Sequence, residues 1–242
     1  MESTKVTLFV QCLVDAVQPQ VGDAMVAVLE RIGLTLDCAT DHTCCGQPAY
    51  NSGYTRAART AARRFIEIFE PAGTIVCPSG SCVHMVRRHY PDLFADEPHW
   101  RSRAQAVAAR TFEFTEYIVD VLKLDDVGAR YPGRVTYHDS CHLLRGLGVQ
   151  EQPRRLLRRV AGLELVEMKD SDYCCGFGGA FAINYPDISG AMVYDKVDKI
   201  MAAGVDTVVG CDTGCLLNIA GAASRRGLKL KTLHIAEVLA QR

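Results

Sequence analysis

The sequence carries no charge of either sign in surplus: 27 Lys and Arg stand against 28 Asp and Glu, a net charge of −1. That balance argues against a nucleic-acid binder, which usually carries a basic excess. Long apolar runs are also lacking. The longest uncharged stretch near the start, Val6 to Val14, is too short to span a bilayer. Met-Glu-Ser-Thr-Lys has no basic n-region, so no secretory signal is expected. No P-loop, Gly-x-Ser-x-Gly or His-Glu-x-x-His motif occurs. Gly176-Phe177-Gly178-Gly179 lacks the strand-before, helix-after setting and the acidic residue of a dinucleotide loop. With no recognisable flavin or nicotinamide site, hydride chemistry is expected to belong to a partner.

What is present is cysteine. The 242 residues are 48% hydrophobic and 23% charged, ordinary globular proportions, and the length allows one to two domains. A chain of this size buries about 70% of its unfolded surface and needs no staples. Yet it holds eleven cysteines, an odd number that excludes a complete intramolecular disulfide framework. The expectation is a cytoplasmic chain with reduced thiols, and hence metal or redox chemistry.

The cysteines form an internal repeat. Cys44-Cys45-Gly46 recurs as Cys174-Cys175-Gly176, Cys12 corresponds to Cys141, and Cys82 to Cys215. The offset drifts only from 129 to 133 residues. Two quartets result: Cys12, Cys44, Cys45, Cys82 and Cys141, Cys174, Cys175, Cys215. Cys38, Cys77 and Cys211 are left over, and Cys38, inside an apolar strand pattern, reads as a buried packing residue.

The intervening patterns repeat too. Strands are expected at Lys5–Val10, Leu34–Cys38 and Thr74–Cys77, and again at Arg134–Ser140, Leu163–Met168 and Thr207–Cys211. Helices are expected at Val21–Ile32, Tyr54–Phe69 and Phe114–Leu122, and at Arg154–Ala161, Ile188–Ala203 and Ile235–Leu239. Alternation of this kind predicts an α/β fold of two pseudo-repeated halves, mostly parallel strands flanked by helices. The halves are 1–126 and 134–242, joined through Val127–Gly133. The matched cysteines fall just after strands and near helix starts, at the sheet edge where ligands bind and thiolates are favoured.

Four thiolates at one point suit zinc or an iron–sulfur cluster. The adjacent Cys-Cys pair is awkward for one tetrahedral ion and easier for a core of several irons. Gly46 and Gly176 are expected to let backbone approach that core, donating N–H bonds to sulfur.

Each half resembles the cysteine-rich CCG domain, whose pattern is Cys-xₙ-Cys-Cys-Gly-xₙ-Cys-x-x-Cys. That domain is known from heterodisulfide reductase and from iron–sulfur subunits of glycolate oxidase and anaerobic glycerol-3-phosphate dehydrogenase. Residues 44–53 (CCGQPAYNSG), 78–82 (PSGSC), 174–179 (CCGFGG), 214–216 (GCL) and 234–239 (HIAEVL) resemble the lactate-utilization branch of this family in particular. The resemblance implies an iron–sulfur electron-transfer component of an L-lactate oxidation complex, a non-catalytic or co-catalytic oxidoreductase subunit. It implies a [4Fe–4S] cluster in each half, and as partners a larger ferredoxin-like iron–sulfur subunit and a third soluble protein. One departure stands out: the closing Cys-x-x-Cys is missing, with Ser79 and Asp212 where its first cysteine belongs. Cys77 and Cys211 lie close enough in sequence to be extra ligands. A zinc-stabilised assembly scaffold and a heterodisulfide-reductase-like catalytic subunit are the alternatives.

Smaller signals have plainer readings. His138, Asp139 and His142 flank Cys141, either tuning a cluster and relaying protons or closing a strand end by hydrogen bonds. His84 and His89, beside Arg87 and Arg88, read as a solvated basic face. So do Arg154, Arg155, Arg158 and Arg159 on one helix.

Overall fold

The computed structural model describes residues 5–39, 41 and 44–242. Each half begins with a buried strand. In the first half, β1 (Lys5–Leu8), β2 (Thr35–Cys38), β3 (Thr74–Cys77) and β4 (Thr111–Glu113) form a wholly parallel sheet in the order β2-β1-β3-β4. In the second, β5 (Arg130–His138), β6 (Ala161–Leu165), β7 (Thr207–Gly210) and β8 (Lys231–His234) repeat it as β6-β5-β7-β8. The expected α/β architecture of two repeated halves is therefore the one observed. Past the last helical turn of the first half, the chain runs over 122–129 into β5, so Arg130–Gly133 of the expected joint belong to the strand.

The helices of the first half are α1 (Cys12–Val17), α2 (Pro19–Arg31), α3 (Gln47–Asn51), α4 (Thr55–Phe69), α5 (Gly80–His84), α6 (Tyr90–Leu93), α7 (Pro98–Ala108) and α8 (Phe114–Glu116). Those of the second are α9 (Glu151–Arg159), α10 (Ala180–Asn184), α11 (Pro186–Ala202), α12 (Thr213–Arg225) and α13 (Ile235–Ala240). Wider π-helical turns cover Met85–His89, Tyr117–Val121 and His142–Gly146. α4 shows why these segments dock. Ala58, Ala62, Phe65, Ile66 and Phe69 recur at helical spacing and all are buried. A Phe removed from water there contributes about 1.5–3 kcal/mol.

Several local expectations shift. The fourth strand of each sheet, β4 and β8, is absent from the sequence reading. So are α7 and α12. Residues 142–146, expected as loop, wind into a helical turn immediately after Cys141. Cys38 is exposed on the edge strand β2, because only one neighbour, β1, covers it. It is not the core residue its apolar context suggests.

The halves interlock reciprocally. α2 of the first packs on α13 of the second, and α9 of the second packs on α8 and the turn that follows it. Arg31 of α2 fastens the first pair, donating to the Leu239 carbonyl at 2.9 Å and to those of Ala240 and Val127. One buried cluster contains Val6, Leu8 and Val76 of the first sheet with Val135, Tyr137 and Val209 of the second. The apolar core thus runs through the seam, and the carboxyl ends of both sheets face a common space.

Candidate metal centre

In the first half, Cys12 is the opening residue of α1, behind an N-cap in which Gln11 Oε1 accepts from Leu13 N at 2.8 Å. Cys44 and Cys45 precede Gly46, whose left-handed φ of +83° turns the chain into α3. Cys82 sits in α5, capped by Ser79 Oγ, which accepts from Cys82 N at 3.3 Å. The sulfurs of Cys45 and Cys82 are 3.4 Å apart, and Cys44 interacts with both Cys12 and Cys45. Tyr90 Oη donates to the Cys45 carbonyl at 2.9 Å and fixes the Cys-Cys turn.

The second half repeats this. Cys141 starts the 142–146 turn, and Cys215 sits in the first turn of α12. Cys174 interacts with Cys141 and Cys175, and Cys175 with Cys215. Asn218 Nδ2 donates to the Cys175 carbonyl at 2.8 Å, the role Tyr90 has in the first half. Gly46 N and Gly176 N each donate to the sulfur two residues back, Cys44 and Cys174, at 3.4 Å.

All eight cysteines line one cavity of about 410 Å³, with Gln11, Ser79, Ser140, His142, Phe177 and Asp212 among its other walls. Asp212 is the hinge of this arrangement. Its Oδ1 accepts from Ser79 Oγ at 2.8 Å, Ser81 Oγ at 2.8 Å and Ser81 N at 3.2 Å. Its Oδ2 accepts from Ser140 Oγ at 2.6 Å. Four hydrogen bonds thus satisfy a carboxylate that is buried.

Thiol electrostatics follow from crowding. Hydrogen bonds from Cys12 and Cys45 hold the Cys44 thiol well below its ordinary value, and the same bonds push Cys12 and Cys45 up. Bonds from Cys45 and Cys77 lower Cys82. Bonds from Cys141 and Cys175 lower Cys174, while Cys141 and Cys175 rise. Alternate sulfurs therefore ionise at the expense of their neighbours. Complete ionisation needs bound cations, which is how a thiolate metal site behaves. The donor set, four sulfurs per half with N–H groups of Gly46 and Gly176 on two of them, fits an iron–sulfur group and also fits zinc.

The remaining predicted residues separate. Cys77 is fully buried beside Cys82, and burial raises its thiol. Cys211 turns away from the quartets toward Tyr137, whose Oη lies 3.2 Å from its sulfur. Gly46 and Gly176 are also required by the space behind the turn. A Cβ on Gly46 would meet the Ala61 side chain at 3.0 Å, and one on Gly176 the Ser189 carbonyl at 2.6 Å. The glycines face the helix behind the turn, and their N–H groups face sulfur.

Among the flanking residues, Asp139 closes a buried network. Arg154 donates to both its oxygens at 2.7 Å and to Glu167. Burial opposes the Arg154 charge, but Asp139 and Glu167 more than offset it and hold the guanidinium further protonated. Arg154 is only 4% exposed, so it leaves the exposed basic face assigned to it from the sequence. Arg155 and Arg158 stay on the surface, paired with Asp125 and Glu151. His84 is likewise not a solvated face. It packs between His89 and His142, and burial lowers it to about 4. His138 is 1% exposed, and burial lowers it to about 3, so the ring is neutral. One of its nitrogens and the sulfurs of Cys175 and Cys215 lie within 4.8 Å of one another. The sequence reading misses Lys196, and it places Asp212 only at the position of an absent cysteine, without its bonding role. For Lys196 a signal exists, since a lysine stands among the apolar positions Val193, Val197 and Ile200 of α11.

The repeat, the paired parallel sheets and the converging cysteines define a duplicated cysteine-rich domain, and that family matches residues 6–87 and 135–220. Lactate utilization protein A of Bacillus cereus (strain B4264) is 52% identical over 98% of this chain and 99% of its own length. Lactate utilization protein A 2 of Bacillus mycoides (strain KBAB4) matches with the same figures. The chain belongs to this family of cysteine-rich lactate utilization A proteins. Among solved structures, a hypothetical protein from Helicobacter pylori shares the fold with a TM-score of 0.67 at 9% identity, covering 99% of this chain. The chain spans about half of that protein, 49% of its length. Among the described residues, no helix is long and apolar enough to cross a membrane.

Proposed function

We propose that this protein is the iron–sulfur electron-transfer component of an L-lactate oxidation system. Cys12, Cys44, Cys45 and Cys82 would hold one cluster of the [4Fe–4S] type, and Cys141, Cys174, Cys175 and Cys215 another. The single observation that carries this reading is the convergence of eight cysteine sulfurs, drawn from both halves, on one 410 Å³ cavity. The relatives' names supply the substrate.

When bound, such a group accepts and releases single electrons. The residues of this chain do the rest. The quartets present soft anionic sulfur at the carboxyl edges of the sheets. Tyr90 and Asn218 fix the two Cys-Cys turns by bonding the Cys45 and Cys175 carbonyls. The Gly46 and Gly176 amides temper the charge on Cys44 and Cys174. Asp212 ties the halves together so that both quartets open on the same space. Cys77, beside Cys82, is the better placed of the two extra cysteines to be a fifth ligand. A larger ferredoxin-like subunit and a third soluble protein are the proposed partners, and the reduced thiols call for a cytoplasmic setting.

Zinc has one specific observation in its favour, the Cys₂His group of His138, Cys175 and Cys215. Metal analysis separates the readings. Anaerobically prepared protein should carry iron and acid-labile sulfide, with an EPR signal on reduction. A colourless protein with zinc and no sulfide would support the scaffold and end the electron-transfer reading. Cys45→Ser should lose about half the iron, and full retention in both halves would refute the Cys-Cys-Gly assignment.

A further inference from the structure

The two halves repeat their sulfurs but not the walls behind them. The register that matches Cys12 with Cys141 matches Phe9 with His138. The helices behind the Cys-Cys turns keep a register of their own. Gly46 abuts Ala58 and Ala61 of α4, and Gly176 abuts Ser189 and Met192 of α11. That register, 131 residues, matches Phe65 with Lys196. Both pairs are neighbours in the fold. Phe9 and Phe65 pack edge to face with ring centroids 4.9 Å apart, and His138 and Lys196 interact electrostatically. All four side chains are essentially without exposure.

In the second pair the His138 ring faces sulfur. A ring nitrogen of His138 lies within 4.8 Å of Cys175 Sγ and Cys215 Sγ, and the ring also approaches the Ser171 backbone. Lys196 lies within electrostatic reach of the same two cysteines. It is held by the carbonyls of Ser171 at 2.8 Å and Asp170 at 3.3 Å, not by a carboxylate. Asp139, the acid that acts most strongly on Lys196, is engaged by both terminal nitrogens of Arg154. Behind the first quartet stand Phe9, Phe65 and Phe69 instead.

We propose that His138 and Lys196 make the second site the more oxidising of the two, with a reduction potential above that of the site backed by Phe9 and Phe65. The inference rests on the reading of both quartets as iron–sulfur sites. Reduction adds negative charge, and a buried ammonium stabilises that charge in a medium of low dielectric. An imidazole supplies either a neutral ligand or an N–H donor toward sulfur, and both act in the same direction. An added electron therefore resides in the second half.

The test is an EPR-monitored redox titration with dithionite on the full chain, loaded anaerobically, with iron and sulfide counted in every sample. The native protein should show two midpoints. His138→Phe, the repeat's own residue, and Lys196→Met should each shift the higher midpoint down by at least tenfold in the reduction equilibrium, about 59 mV for one electron. The lower midpoint should stay in place. Phe9→His should raise the lower midpoint, so the test does not depend on either second-half variant folding. Equal midpoints in the native protein, or loaded variants in which the higher midpoint does not move, would overturn the inference and leave the iron–sulfur reading standing. A native chain that takes up no iron and sulfide overturns that reading and the inference with it.

Discussion

Ser79 Oγ donates to Asp212 Oδ1 at 2.8 Å, and the two residues occupy the same position in the two repeats. Where the full cysteine-rich pattern has a thiol in each half, this chain has a hydroxyl in one and a carboxylate in the other, bonded to each other across the seam.

Asp212→Ala removes the shared acceptor of Ser79, Ser81 and Ser140. Hydrogen bonds to a charged group contribute about 1.5–3 kcal/mol each, non-additively, so a loss of about 3 kcal/mol is expected. The urea midpoint measures it. An unchanged midpoint would show that the seam does not depend on this carboxylate.

Gly176→Ala and Gly46→Ala should differ. Both place a side chain at positive φ, which costs roughly 1–2 kcal/mol. At Gly176 the new Cβ also meets the Ser189 carbonyl, which is backbone and cannot turn aside, whereas at Gly46 it meets a methyl group. Gly176→Ala should be the more damaging by about 1–3 kcal/mol. Thermal unfolding of metal-free protein reads the difference, and equal losses would count against the packing argument.

Arg154→Met leaves Asp139, 1% exposed in its side chain, without its cationic partner. Breaking a buried pair in this way costs about 3–5 kcal/mol. Denaturation curves at neutral pH should show it, in contrast to Arg158→Met, whose exposed pair with Glu151 should contribute less than about 1 kcal/mol.

Burial raises the Glu113 carboxyl from 4.5 to about 8. Between those values the folded chain keeps a proton that the unfolded chain has released. Stability should therefore fall as pH rises from 4.5 and level off above about 8, with a slope of at most about 1.4 kcal/mol per pH unit. Glu113→Gln should flatten this decline in unfolding midpoints recorded from about pH 4 to 9, a window that brackets the shift. Parallel profiles for the two proteins would exclude Glu113 as the source.

The repeat is legible because it is one-dimensional: identical residue types at a nearly constant offset need no knowledge of space. The same is true of β1, β3 and α4, whose apolar spacing is strong. β4 and β8 are not legible, since three or four residues such as Thr111–Glu113 are too few to show a period. Arg154 misleads for a related reason. A helix of 9 residues carrying four arginines reads as having one exposed basic face, and only the position of Asp139, just past the end of β5, draws one of them inward. The docking of one half on the other lies beyond what a repeat can encode, so the common cavity and Asp212 emerge only in three dimensions.

Because both quartets open into a single chamber, they share whatever enters it. An oxidant or alkylating reagent small enough to reach Cys12 meets Cys141 within the same enclosure, so chemical damage to the two halves should arrive together. Duplication in this molecule has created no spare.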